Sequence, residues 1–253
     1  MKKTEHTCNC FGIQIVATNL ASAAHTVLEH IACWRGEYIT FVNVHTLMMA
    51  VEKEEYLNAQ ELAICNFADG KPIVWMQKKQ DYIQASRVAG PDFMDAILRE
   101  AEGTDMRHFF YGSTKDVLEK MVQNINQKYP GVKIAGSLAP AYVENIDKKT
   151  FDQFLREDIR KINETNPDFV WIGLGAPKQE LFMMHAKGHV GGVMLGVGAT
   201  FDFWAGTQKR APKWMQFMGL EWLHRMITDP KRLWKRYLKT NAEFIWHFVK
   251  NRG

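Results

Sequence analysis

Asp168-Phe-Val-Trp-Ile-Gly173-Leu-Gly175-Ala-Pro177-Lys178-Gln179-Glu180 decides the fold of this chain. Four aromatic or β-branched residues in a row read as a strand covered on both faces, the condition of a parallel sheet. Gly-x-Gly then breaks the strand, Pro177 presets φ for a first helical turn, and Lys178, Gln179 and Glu180 fill that turn. Comparable strand candidates along the chain are Phe11–Ala17, Tyr38–Val44, Leu62–Cys65, Arg107–Tyr111, Val132–Ala135, Phe169–Leu174 and Val193–Val197. Apolar faces at helical spacing alternate with them: Val117, Leu118, Met121, Val122 and Ile125, then Phe151, Phe154, Leu155, Ile159 and Ile162. Strand and helix in regular succession predict parallel strands joined by right-handed crossovers. The class is therefore α/β, a Rossmann-like, mostly parallel sheet flanked by helices.

Composition agrees. With 253 residues, 46% hydrophobic and 24% charged, the chain can bury a full core and is neither disordered nor a disulfide scaffold. Cys8, Cys10, Cys33 and Cys65 all fall within the first 65 residues, which suits a reducing compartment. The first ten residues do not read as a secretory signal, so an unexported protein is expected. The net charge of +4 is uneven: Thr207 to Gly253 carry 11 Lys and Arg against 3 Asp and Glu, whereas the preceding residues carry 21 against 25. The tail also holds Trp214, Trp222, Trp234 and Trp246. This divides the chain into an α/β catalytic unit, residues 1–206, and a helical, basic C-terminal appendage, residues 207–253. In its last helix, Lys231 to Val249, one side is read as Leu233, Trp234, Tyr237, Leu238, Asn241, Ile245 and Phe248. A basic, tryptophan-bearing helix suits an anionic membrane surface; the alternative is a helix packed on the body with a solvated basic edge.

Ligands of an open α/β sheet bind where strands end and helices begin. Asn43, in the run Tyr38 to Thr46, can cap the helix expected over Leu47 to Leu57 or present its amide to a ligand. Asp69, in Cys65-Asn-Phe-Ala-Asp69-Gly70-Lys71-Pro72, can cap a helix whose first turn holds Pro72, or stand at the ligand edge and accept a proton from a hydroxyl nucleophile. Gly112 and Ser113 open a helix start suited to an anion. At the quoted turn, Gly173 and Gly175 allow close backbone approach, Lys178 supplies charge, and Gln179 offers donor and acceptor. Gly198, Thr200 and Asp202 form a similar turn. Gly-x-Gly-x-x-Gly would need glycine at Lys178, so a dinucleotide fingerprint is absent, as is a Walker loop. No metal-ligand spacing stands out, and no RNA-binding or zinc-finger signature accompanies the basic tail. Neither metal, cofactor nor nucleic acid is expected.

These segments together resemble the WecG/TagA/CpsF family of bacterial glycosyltransferases, glycosyltransferase family 26. The resemblance runs through Val42-Asn43-Val44, Ala68-Asp69-Gly70-x-Pro72, Arg87-Val-x-Gly90-x-Asp92, Tyr129-Pro130, Pro167-Asp168, Gly173 to Glu180, Gly196-Val-Gly, Phe201-Asp202-Phe, Arg210-Ala-Pro212 and Gly219-Leu-Glu-Trp222-x-x-Arg225. It implies transfer of a sugar from a UDP-sugar donor to a polyprenyl-diphosphate-linked saccharide at the cytoplasmic membrane face, in cell-surface polysaccharide synthesis. It further implies Asp69 as general base, Asn43 beside it, Pro177 to Glu180 by the nucleotide, and Arg210, Arg225 and Arg232 over the diphosphate. Arg87 and the turn residues above join the expected substrate contacts, and a homo-oligomer stays open. The chain departs from the family at one place: Phe41-Val42-Asn43 stands where members commonly read Thr-Pro-Asn, so that a hydroxyl contact is lost or moved to Thr40 or Thr46 and the identity of the transferred sugar stays open. The reading from another class is a nucleotide-binding regulatory or nucleic-acid-associated module without catalysis.

Overall fold

The computed structural model describes residues 6–143 and 146–250, without the side chains of residues 153, 154, 232 and 236. Eight strands form one sheet: β1 (Thr7–Cys10), β2 (Ile13–Val16), β3 (Tyr38–Val42), β4 (Cys65–Ala68), β5 (Arg107–Gly112), β6 (Lys133–Leu138), β7 (Phe169–Gly173) and β8 (Val193–Gly196). Their order is β1-β2-β4-β3-β8-β7-β5-β6. Every neighbouring pair is parallel except β1 with β2. The helices are α1 (Leu20–His30), α2 (Val44–Glu52), α3 (Glu54–Glu61), α4 (Lys71–Lys79), α5 (Gly90–Ala101), α6 (Lys115–Lys128) and α7 (Lys148–Thr150). A π-helical turn (Phe151–Leu155) leads into α8 (Arg156–Glu164), and then come α9 (Lys178–Ala186), α10 (Thr200–Ala205), α11 (Lys213–Met218), α12 (Glu221–Thr228) and α13 (Pro230–Lys250).

The period of two along each strand builds the core. Phe169 and Trp171 of β7 face one layer with Phe110, Val193 and Leu195, while Val170 and Ile172 face the other with Tyr111 and Met194. Each such fully buried side chain contributes roughly 1.5–3 kcal/mol by leaving water. Because the strands are parallel, the ends of β3, β4, β5, β7 and β8 all open on the same edge, which is where the site must be sought.

Several expectations shift. The run Phe11–Ala17 is the second arm of a hairpin, turned at Phe11 (φ 49°) and Gly12 (φ 98°) and pinned by the Gly12 N–H donating to Asn9 Oδ1 at 2.9 Å. A turn of Phe-Gly lacks the Asn-Gly signature of a two-residue hairpin, so the antiparallel edge was not legible. The strand placed at Leu62–Cys65 begins where that reading ended, because α3 runs to Glu61. The helix over Leu47 to Leu57 is two helices, parted at Lys53 in an extended conformation.

The appendage is seated on the body. Leu233, Tyr237, Thr240 and Phe244 of α13 are its buried side, and Phe244 packs edge-on to Phe11 at 6.1 Å. Lys239 pairs with Glu52 of α2 at 2.7 Å. The single apolar side read from the sequence thus separates into two stripes. Trp234, Leu238, Ile245 and Val249 point outward. Both stripes have helical spacing, and the sequence does not say which one meets the sheet. Among the described residues, no helix is long and apolar enough to cross a membrane.

Candidate active site

The register between β3 and β4 pairs Val42 with Ala68, so Asn43 and Asp69 come next to each other where the two strands end. Backbone bonds fix the place: Asp69 N–H donates to Val42 O, and Val88 N–H to Ala68 O, each at 2.8 Å, which draws Arg87 to the same edge. Asp69 does not cap α4. The N-cap is Gly70 and no side chain serves it, while Pro72 occupies the first turn as expected. The carboxyl is thus left for other work. It keeps some solvent contact but is densely surrounded by protein. Burial pushes its pKa up to about 7, with Arg87 and Arg210 pulling down and Glu221 and Asp92 pushing up.

Those four charged groups form a closed ring beside it. Arg210 grips Asp92 through Nη1 and Nη2 at 2.6 and 2.8 Å and Glu221 through Nε at 2.9 Å. Arg87 donates to Asp92 at 3.2 Å and to the other oxygen of Glu221. Burial works against the charge of Asp92 and Glu221, but the guanidinium contacts overcome it and hold both carboxyls below the usual range. The sequence offered Arg87 and Arg210 as ligand contacts and gave Asp92 and Glu221 no role. Positions 87, 92, 210 and 221 show no mutual pattern until the fold brings them together.

Asn43 does cap its helix. Its Oδ1 accepts from Thr46 N–H at 3.2 Å, and Thr46 Oγ1 accepts from Asn43 N–H at 2.9 Å, a reciprocal box. No hydrogen bond within the described residues engages its Nδ2, so capping and ligand contact are compatible. The hydroxyls expected to replace the missing family threonine are both committed. Thr46 belongs to the cap, and Thr40 is wholly buried between the amides of Gln60 at 2.7 Å and Asn66 at 2.5 Å. Thr40 therefore offers a substrate no open face, a correction to its placement among the contacts. Phe41 lies in the core against Phe67 and Phe93.

The turn after β7 is built mainly to hold itself. Gln179 Oε1 accepts from Gly175 N–H at 3.2 Å, and its Nε2 donates to Gly196 O at 3.1 Å and Glu180 Oε1 at 2.8 Å. That ties the Gly173 to Glu180 turn to the end of β8. Glu180 is almost wholly buried with Oε2 unpaired; burial carries its pKa up to about 7. It is no ligand contact as placed. Lys178, expected to supply free charge, donates to Val143 O at 2.6 Å and lies 4.3 Å from the centre of the Tyr142 ring. Gly175, with φ 75° and open space where a Cβ would stand, fits the close-approach reading; Pro177 precedes α9 as its N-cap. Gly173 instead makes room for Phe201, since a Cβ there would meet the ring at 2.4 Å, and Gly112 packs on Gly173.

Ser113 sits at φ 56° with its N–H on Gly173 O. Gly198 lies against Gln179 Oε1, Thr200 donates to Val197 O at 2.8 Å, and Asp202 accepts from Thr207. Arg225, in α12, has a buried Nε without a hydrogen-bond partner among the described residues. Arg232 lies in α13 and its side chain is outside the described residues.

Residues 8–253 match the Glycosyl transferase WecG/TagA/CpsF family. A relative from Bacillus subtilis (strain 168), N-acetylglucosaminyldiphosphoundecaprenol N-acetyl-beta-D-mannosaminyltransferase, is 34% identical over 229 residues, 89% of this chain and 85% of the relative. The protein of that name from Bacillus spizizenii (strain ATCC 23059 / NRRL B-14472 / W23) is 33% identical over 206 residues, 81% of this chain and 76% of its own length. With a family match over nearly its whole length and relatives 33–34% identical over most of both chains, the chain belongs to the WecG/TagA/CpsF family of glycosyltransferases.

Proposed function

We propose that the chain is an inverting, metal-independent glycosyltransferase with Asp69 as general base. The donor is a UDP-sugar of the N-acetylmannosamine type and the acceptor an N-acetylglucosaminyl-diphospho-polyprenol at the cytoplasmic face of a membrane. The names of the two Bacillus relatives support the sugar and the acceptor. The observation that carries the mechanism is the position of Asp69: directly after β4, not engaged as a cap, beside two guanidiniums.

In the reaction the acceptor hydroxyl oxygen bonds to the anomeric carbon as the bond from that carbon to the donor phosphate oxygen breaks. The hydroxyl proton passes to Asp69, and UDP departs with the bonding pair. One displacement inverts the anomeric centre. A carboxylate with a pKa near 7 is a better base than one near 4 and is still largely ionised above neutrality. Charge on the leaving diphosphate falls to Arg87 and Arg210.

Membrane contact falls to the appendage. Trp214, Phe217, Trp222, Trp234 and Leu238 are exposed on its helices, among lysines that add attraction of about 1 kcal/mol each near an anionic surface. Lys71 of α4 reaches the same region, 5.1 Å from the centre of the Phe217 ring.

The test is transfer from UDP-N-acetylmannosamine to a short-chain prenyl-diphosphate-N-acetylglucosamine acceptor. Asp69→Asn should lower turnover by roughly 10²-fold or more while UDP affinity, by calorimetry, changes less than about twofold. Turnover should fall on acidification through about pH 7, as the base takes up its proton. An Asp69→Asn protein that transfers sugar at the parental rate would end this reading.

A further inference from the structure

We propose that Asp92 and Glu221 are positioning residues that hold Arg87 and Arg210 side by side at Asp69, one carboxylate supplied by the body and one by the C-terminal segment. The inference rests on the reading of Asp69 as the base and adds to it which groups set that base. Its warrant is the connectivity of the ring. Asp92 bonds both arginines, and Glu221 bonds both arginines, through a different oxygen for each. A planar guanidinium held through two or three of its N–H groups has little freedom to rotate. The four side chains are 14–34% exposed, so the contacts are only partly screened by water.

The ring also joins two parts of the chain. Arg87 and Asp92 belong to the start of α5 and the segment before it, whereas Arg210 precedes α11 and Glu221 opens α12. Each part contributes one cation and one anion, so the two halves meet without excess charge on either. The edges that cross, Arg87 to Glu221 and Arg210 to Asp92, exist only while the C-terminal helices are seated. Asp69 meets a paired pattern: two cations that favour its ionised form and two anions that oppose it. Lys71, two residues beyond Asp69, is turned away onto Phe217. Removing one ring member should therefore move the protonation of Asp69 in a direction set by the charge removed, which mere loosening of structure would not do.

The experiment follows the acid limb of kcat/KM and, independently of turnover, the titration of 13C-labelled aspartate carboxyls, with the Asp69 signal assigned by its loss in Asp69→Asn. Glu221→Gln removes an opposing charge and should shift both readouts to lower pH by roughly one unit; Arg210→Gln should shift both upward by a similar amount. Asp92→Asn should move with Glu221→Gln and decides the matter should that variant not fold. Shifts of one sign for all variants, or none in folded protein, would overturn the proposal and leave the base assignment standing. Opposite carboxyl shifts in a wild-type protein without transferase activity would keep the positioning role and end the functional reading.

Discussion

Replacing Glu180 with glutamine should make the protein clearly more stable in mild alkali and only slightly more stable near pH 5. Glu180 is 1% exposed; its Oε1 accepts from Gln179 Nε2, and its Oε2 has no partner. Burial raises its pKa from 4.5 to about 7. Between those values the folded chain keeps a proton that the unfolded chain has released, so stability falls as pH rises through that window. At about 1.4 kcal/mol per pH unit, the folded state at pH 8 carries a penalty of about 3 kcal/mol for ionising this group. Glutamine keeps the acceptor for Gln179 and never ionises. Urea unfolding of both proteins at about pH 5 and about pH 8 should thus give a difference that opens from under about 1 kcal/mol to about 3 kcal/mol in favour of Glu180→Gln. Asp69 titrates in the same range but is common to both proteins and cancels. A difference independent of pH would refute the reasoning, because it would mean that Glu180 is not protonated in the folded state.

Two further outcomes separate structural from functional roles. Thr40→Val should cost about 1–3 kcal/mol of unfolding free energy by leaving the Gln60 and Asn66 amides short of a partner, with no change in the donor KM; a raised KM at unchanged stability would return Thr40 to the substrate site. Leu233→Ala, at a wholly buried position of α13, should cost about 2–5 kcal/mol, whereas Trp234→Ala should change stability by less than about 0.5 kcal/mol yet lower sedimentation with anionic vesicles. Equal stability losses in the two variants would mean that the outward stripe is packed rather than open.

The parallel sheet was legible because buried strands such as Phe169–Gly173 announce themselves by continuous apolar runs, and the turns that follow them had to gather on one edge. Asp69 and Asn43 were legible as candidates for the same reason. What the sequence did not disclose is which polar side chains the protein uses up. Gln179, Glu180, Lys178 and Thr40 are residue types that bind ligands, yet three are spent on tertiary hydrogen bonds and Glu180 is sealed in the core with one oxygen unmatched. A helix-start position tells the chemistry a side chain can do, not the direction in which its rotamer carries it. The ring of Arg87, Asp92, Arg210 and Glu221 was out of reach because its partners lie up to 134 residues apart and only the seating of the appendage brings them together.

Burial drives the carboxyls of Asp69 and Glu180 toward the same pKa of about 7, and their surroundings then part them. Glu180 is sealed in the core against the Gln179 amide, and burial is the main influence on its carboxyl. Asp69 opens on the strand edge against two guanidiniums. There the two arginines counter the desolvation that would otherwise lift the carboxyl further above its ordinary range. One of the two comes from the body and the other from the C-terminal segment, so the basicity of Asp69 and the seating of that segment are a single property of the fold.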